Sequence, residues 1–143
     1  MRVYADTSVL VAWHHPADIF AALVTPWLQE CGPEFCWNAI LRAELRHNLR
    51  LLQGPYSRTD WNAYSAAENT RRLVSSRERL TDLFQQADEL SERFASRTSC
   101  GTWDVVHVAA AMRANAEAFA TCDEAQARLA RLSGLTEVKL FVV

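Results

Sequence analysis

Short apolar runs that stop at a turn or cap residue alternate with longer stretches of helical spacing along the whole chain, and that alternation leaves few folds open. Strands separated by helices argue for a mainly parallel sheet, because parallel pairs need long crossovers, with helices covering both faces. Arg2–Ala5 reads as the first strand, Glu34–Trp37 as a second, Ala118–Thr121 as a third and Glu137–Val143 as the last. Between them the spacing predicts helices from about residue 7, over 17–30 with Pro26 a kink or boundary, and from an Asn38 N-cap to about Leu52. Further helices are predicted over Arg58–Val74, Leu80–Ser96, Thr102–Asn115 and Asp123–Leu132. Thr7 or Ser8 is placed to cap the first helix. Thr102–Asn115 has almost no polar face and so belongs at the centre of the fold.

The 143 residues suit one domain over 1–143, and a hydrophobic share of 50% with 22% charged residues is a globular balance. No apolar run approaches the ~20 residues that span a bilayer, and the N-terminus lacks a signal-peptide pattern, so a cytoplasmic protein without membrane contact is expected. The four cysteines form no Cys-x-x-Cys pair and the four histidines show no zinc spacing, so free, mostly buried thiols are expected. A net charge of −2 does not advertise a nucleic-acid binder. That objection weakens if several acids are gathered around a cation that offsets them.

Acids in apolar settings are the informative residues, since Asp and Glu are almost never buried without a partner. Asp6 stands in VYADTSVLVAW, Glu44 in ILRAELRHNL, Asp104 in TWDVVHVAAAM and Asp123 in AFATCDEAQARLA. Asp6 and Asp123 would lie just past strand ends, Glu44 and Asp104 in early turns of helices. Ligands of open α/β sheets bind outside the carboxyl ends of the strands, so one crevice could receive all four. Four carboxylates there would repel one another unless a cation neutralised them, and an all-oxygen set suits Mg²⁺ or Mn²⁺ rather than zinc.

Each acid also has a plainer reading. Asp6 could cap the following helix, and Asp123-x-x-Gln126 is close to a capping box. Glu44 could face solvent, yet it has no Lys or Arg three or four residues away. Asp104 could simply favour a helix N-terminus behind the potential cap Thr102. His107, one turn after Asp104, could orient a carboxylate or a water, or be a satisfied core histidine. Ser8 could bond to the acids or cap. Arg42, Arg46 and Arg50 form a stripe that could hold an RNA backbone or merely be a solvated face. The five tryptophans read as core or interface residues rather than base-stacking platforms.

Together these residues resemble the PIN-domain family. YADTSVLVAW is similar to its N-terminal motif, RAELRHNL to its helical glutamate motif, and TWDVVHVAAAMRANAEAFATCDEAQARLARLSGL to its C-terminal half, in order and at matching spacing over essentially the whole chain. The resemblance implies a three-layer α/β/α fold, homodimers, and Mg²⁺- or Mn²⁺-dependent endonuclease action on RNA. By position, Asp6 and Asp104 match the principal metal ligands, Glu44 completes the set and Asp123 matches a more variable fourth acid. Size and the bare single domain look like the VapC-like toxins of type II toxin–antitoxin systems, which a small antitoxin protein neutralises. The Ser99–Trp103 lead-in departs from the basic-polar-Leu pattern frequent in such toxins, which bears on substrate preference more than on metal binding. The expected chemistry is hydrolysis by metal-activated water. Two rivals remain: a degenerate PIN domain that only binds RNA or protein, and a phosphatase with Asp6 as the nucleophile of an aspartyl-phosphate.

Overall fold

The computed structural model describes residues 1–52, 62, 65–66, 73–75 and 78–143. Five strands, β1 (Arg2–Ala5), β2 (Glu34–Trp37), β3 (Leu73–Ser75), β4 (Ala118–Thr121) and β5 (Glu137–Leu140), form one sheet in the order β3-β2-β1-β4-β5. Every pairing is parallel, with Val3 opposite both Phe35 and Ala118. Val3, Tyr4, Ala5 and all of Ala118–Thr121 are buried, so the central strands carry no polar face, as a sheet covered on both sides requires. The edge strand β5 is half-buried at best and places Lys139 outward, a charge that discourages further pairing.

Six helices are described: α1 (Thr7–His14), α2 (Ala21–Cys31), α3 (Ala39–Leu51), α4 (Leu80–Thr98), α5 (Thr102–Arg113) and α6 (Glu124–Leu132). α1 packs on α2 and α3, whereas α4, α5 and α6 pack on one another, giving a helical layer on either side of the sheet. The three-layer α/β architecture expected from the alternation is the one observed. α5 buries seven consecutive residues, Val105–Ala111, and its small alanines let it approach its neighbours closely. Each valine so buried contributes roughly 1.5–3 kcal/mol. Among the described residues, no helix is long and apolar enough to cross a membrane.

Several expectations need correction. Leu73 and Val74, predicted as the end of a helix, belong to the strand Leu73–Ser75 on the open edge of β2, with Phe35 opposite Leu73 and Trp37 opposite Ser75. Pairing with that edge outweighs local spacing; the rest of the predicted helix lies almost wholly outside the described residues. α2 begins at Ala21 rather than 17, because Asp18 accepts from Phe20 N–H at 2.8 Å and holds the preceding segment in a turn. Pro26 lies inside α2, tolerable because Ala22, whose carbonyl loses its partner, is exposed to water. The N-caps of α1 and α5 are Asp6 and Gly101, not Thr7, Ser8 or Thr102. The last strand stops at Leu140. All four cysteines are free, but only Cys36 is buried: Cys31 is exposed and Cys100 and Cys122 are half-buried, against the expectation of mostly buried thiols; desolvation pushes the Cys36 and Cys122 thiols up to about 11, which leaves both protonated.

Candidate active site

Three neighbouring strands, β2, β1 and β4, run into helices with little or no loop, so the N-termini of α3, α1 and α6 share the carboxyl edge of the sheet. A polar side chain caps each of them. Asn38 Oδ1 accepts from Leu41 N–H at 2.8 Å, Asp6 Oδ1 from Val9 N–H at 3.3 Å and Asp123 Oδ1 from Gln126 N–H at 2.8 Å. Free backbone N–H groups and partial positive charge at these termini favour anions along this edge. Both expected uses of Asp6 and Asp123, cap and edge carboxylate, are thus compatible.

Asp6 is buried, with 6% of its surface exposed, and both its oxygens are held. The Ser8 hydroxyl donates to Oδ1 at 2.5 Å and the Thr121 hydroxyl to Oδ2 at 2.8 Å. Ser8 Oγ also accepts from Cys122 N–H at 3.1 Å, tying α1 to the turn after β4. Thr121 has a single proton yet lies 2.7 Å from the Gln126 amide oxygen as well. Turning that amide lets its nitrogen, which otherwise has no partner, donate to Thr121 while Thr121 donates to Asp6. Burial raises the Asp6 carboxyl above its ordinary range, against the opposing effect of these bonds.

Glu44 sits on α3 and is held by His107 of α5, whose Nε2 is 2.5 Å from Oε2. On its other side, His107 Nδ1 is 2.9 Å from the Tyr4 hydroxyl, which accepts from Asn38 Nδ2 at 3.1 Å. One assignment satisfies every group: Asn38 donates to Tyr4, Tyr4 donates to Nδ1, and Nε2–H donates to Glu44. His107 is therefore both a satisfied core histidine, 2% exposed, and the orienter of a carboxylate. Burial pushes Glu44 upward, but the His107 and Thr7 hydrogen bonds outweigh it and hold the carboxyl below its usual value. Burial also holds the Tyr4 phenol well above its usual range, so it stays a donor.

Asp104 lies in the first turn of α5 and accepts from Gly101 N–H at 2.9 Å. Its carboxyl is raised by burial and then by the charges of Asp123 and Glu44, while the Gly101 bond and His107 oppose this. Asp104 is thus within electrostatic reach of both Asp123 and Glu44, and Tyr4 senses both Glu44 and Asp6. No three Asp, Glu, His or Cys side chains are grouped to hold an ion among the described residues. Each carboxylate is instead turned to local donors, as mutual repulsion favours.

The structure separates the arginine stripe from this site. Arg46 and Arg42 are each two residues from Glu44, roughly 200° round an α-helix, so the stripe occupies the opposite flank of α3. Arg42 and Arg46 are half-buried and Arg50 is exposed. Tyr4, Asn38, Thr121 and Gln126 are site residues that sequence reasoning missed. Tyr4 carried a readable signal: a hydroxyl in a fully buried strand needs a partner.

The PIN domain's sequence pattern matches residues 3–132. No curated protein matches the sequence. The chain is similar in fold to a solved structure described as FitAcB from Neisseria gonorrhoeae, with a TM-score of 0.61 at 19% identity, over 99% of this chain and 96% of that one. With the pattern covering nearly the whole chain and the acids standing at the carboxyl edge of its sheet, the chain belongs to the PIN-domain family.

Proposed function

We propose that the protein is a Mg²⁺- or Mn²⁺-dependent endoribonuclease and the toxin of a toxin–antitoxin pair. Membership of the PIN-domain family supports a nuclease. One observation carries the metal reading: the charges that most shift Asp6, Glu44 and Asp104 belong to Asp123, Glu44 and His107, with no arginine or lysine among them. Carboxylates that sense one another's charge with no arginine or lysine between them, and that offer only oxygen donors, fit a hard divalent ion. Asp6 and Asp104 would be its principal ligands, with Glu44 and Asp123 completing the set.

When bound, the ion would supply an activated water and offset the charge of the phosphate. The protein's own part is positioning. Ser8 and Thr121 fix the rotamer of Asp6, and His107, backed by Tyr4 and Asn38, fixes Glu44. The helix N-termini at the edge offer N–H groups to phosphate oxygens. Membership of the PIN-domain family favours a nuclease over a phosphatase with Asp6 as nucleophile.

The test is cleavage of single-stranded RNA by purified protein with Mg²⁺ or Mn²⁺, with EDTA, and with Asp104→Asn. Cleavage that persists in EDTA or in the variant would refute the metal reading. One alternative is a degenerate domain that only binds, since no three potential ligands are grouped among the described residues; calorimetric titration with Mn²⁺ showing no uptake by wild type would establish it. Homodimerisation and an antitoxin partner belong to the same proposal, supported by the resemblance to VapC-like toxins. Gel filtration and co-purification with the product of the adjacent gene test them. The Arg42, Arg46 and Arg50 flank would grip RNA only away from the acids; a salt dependence of binding unchanged in Arg50→Ala would exclude Arg50.

A further inference from the structure

We propose that the groove between α3 and the starts of α4 and α5 is a nucleobase subsite, in which one unpaired base of the RNA stacks on Trp103 and is hydrogen-bonded by Asn48 and His47. The choice of RNA rests on the nuclease reading; the rest comes from the groove. It holds about 490 Å³, within the range of small-molecule sites. Ile40, Leu80 and Trp103 supply its apolar lining, and Glu44, His47 and Asn48 its polar groups. Glu44 lines the groove and Trp103 directly precedes Asp104, so an occupant abuts Glu44 and lies one residue along the chain from Asp104.

Trp103 is 53% exposed and so is not one of the core tryptophans. Trp13 and Trp27 do pack against the core, and Trp37 is buried; Trp61 lies outside the described residues. Phe84 meets the Trp103 indole edge-on with ring centroids 6.3 Å apart, which braces it. The His47 and Asn48 side chains have no hydrogen-bond partner among the described residues. A base has two apolar faces and a rim of donors and acceptors, which matches an aromatic slot with an amide and an imidazole at its border. An apolar side chain from a protein would leave both polar groups unpaired, at a cost. Unstacked bases of single-stranded RNA are bound by aromatic side chains in this manner.

Fluorescently labelled homo-oligoribonucleotides of each base, titrated by anisotropy in EDTA, test the subsite without cleavage. One base should bind best, Trp103→Ala should weaken that binding about tenfold, and Trp103→Phe should recover most of it. Asn48→Ala should level the preference among bases, and an abasic oligomer should bind wild type and Trp103→Ala alike. Wild-type affinity of Trp103→Ala for every oligomer would overturn the proposal. So would a smaller species of Trp103→Ala on gel filtration, since the groove would then be covered by a second copy. Base-selective binding without cleavage after addition of Mg²⁺ or Mn²⁺ would overturn the nuclease reading and leave the subsite standing. RNA cleavage whose cut-site pattern is unmoved by Trp103→Ala would do the reverse.

Discussion

At the scale of single residues, the proposed metal role bears first on Asp104, which has a first-turn position, partial burial and two neighbouring acids that raise its carboxyl. Asp6→Asn and Asp104→Asn should each abolish or greatly weaken Mn²⁺ uptake, measured by calorimetry. Neither should destabilise the metal-free protein at neutral pH, because a raised carboxyl pKa means the charged form is worse off folded than unfolded. The sign follows from proton uptake. Wild type should gain stability relative to Asp104→Asn as pH falls through the raised folded value towards the ordinary Asp range, and denaturant melts over that window would read the crossing. Tyr4→Phe tests the other half of the site. It leaves His107 Nδ1 buried without its donor and should cost about 1–3 kcal/mol in a urea melt. A neutral result would exclude the assigned chain of donors.

At the scale of elements, one residue serves two of them. Asn38 caps α3 through its carbonyl oxygen and supports β1 through its amide, which donates to Tyr4. Asn38→Ala should therefore cost about 2 kcal/mol, the sum of a cap and a buried hydrogen bond. Asn38→Ser keeps a capping oxygen but loses the amide donor, and should cost about half as much. Equal losses in the two variants would show that only one of the two bonds matters. The same economy appears at the β4–α6 junction, where Thr121 ends the strand, accepts from Asp123 N–H at 3.0 Å and holds Asp6. Strand-to-helix junctions without slack thus set both the helix starts and the carboxylate positions.

For the whole molecule, two linkages are testable. His14 is buried in α1 and its pKa is lowered to about 4, so the folded state keeps it neutral. The unfolded chain takes up a proton below its ordinary value near 6.5, and stability should fall as pH drops from there towards 4, by up to about 3 kcal/mol. Urea melts of His14→Leu across that range should show a flatter slope; an unchanged slope would exclude His14 as the cause. The second linkage is metal. Mn²⁺ at a hundredfold over its dissociation constant should add about 2.7 kcal/mol of stability to wild type. Asp104→Asn should gain far less in the same thermal melts.

Four of the five strands and the central place of α5 were legible in the sequence, because they depend on local apolar runs, caps and helical spacing. So was the singular placement of Asp6, Glu44, Asp104 and Asp123, each an acid in an apolar segment. Strand β3 was not legible, since three residues of strand are settled by the open edge of β2 rather than by their own spacing. Nor was the support of the acids. Tyr4 and His107 are separated by 103 residues, and Asp6 and Thr121 by 115. Only the order β2-β1-β4, with α3 and α5 placed on it, brings them within hydrogen-bonding distance. Residue type and spacing therefore determined which acids stand at the carboxyl edge, whereas tertiary structure alone decided which neighbours hold each acid, because those bonds join elements remote in sequence.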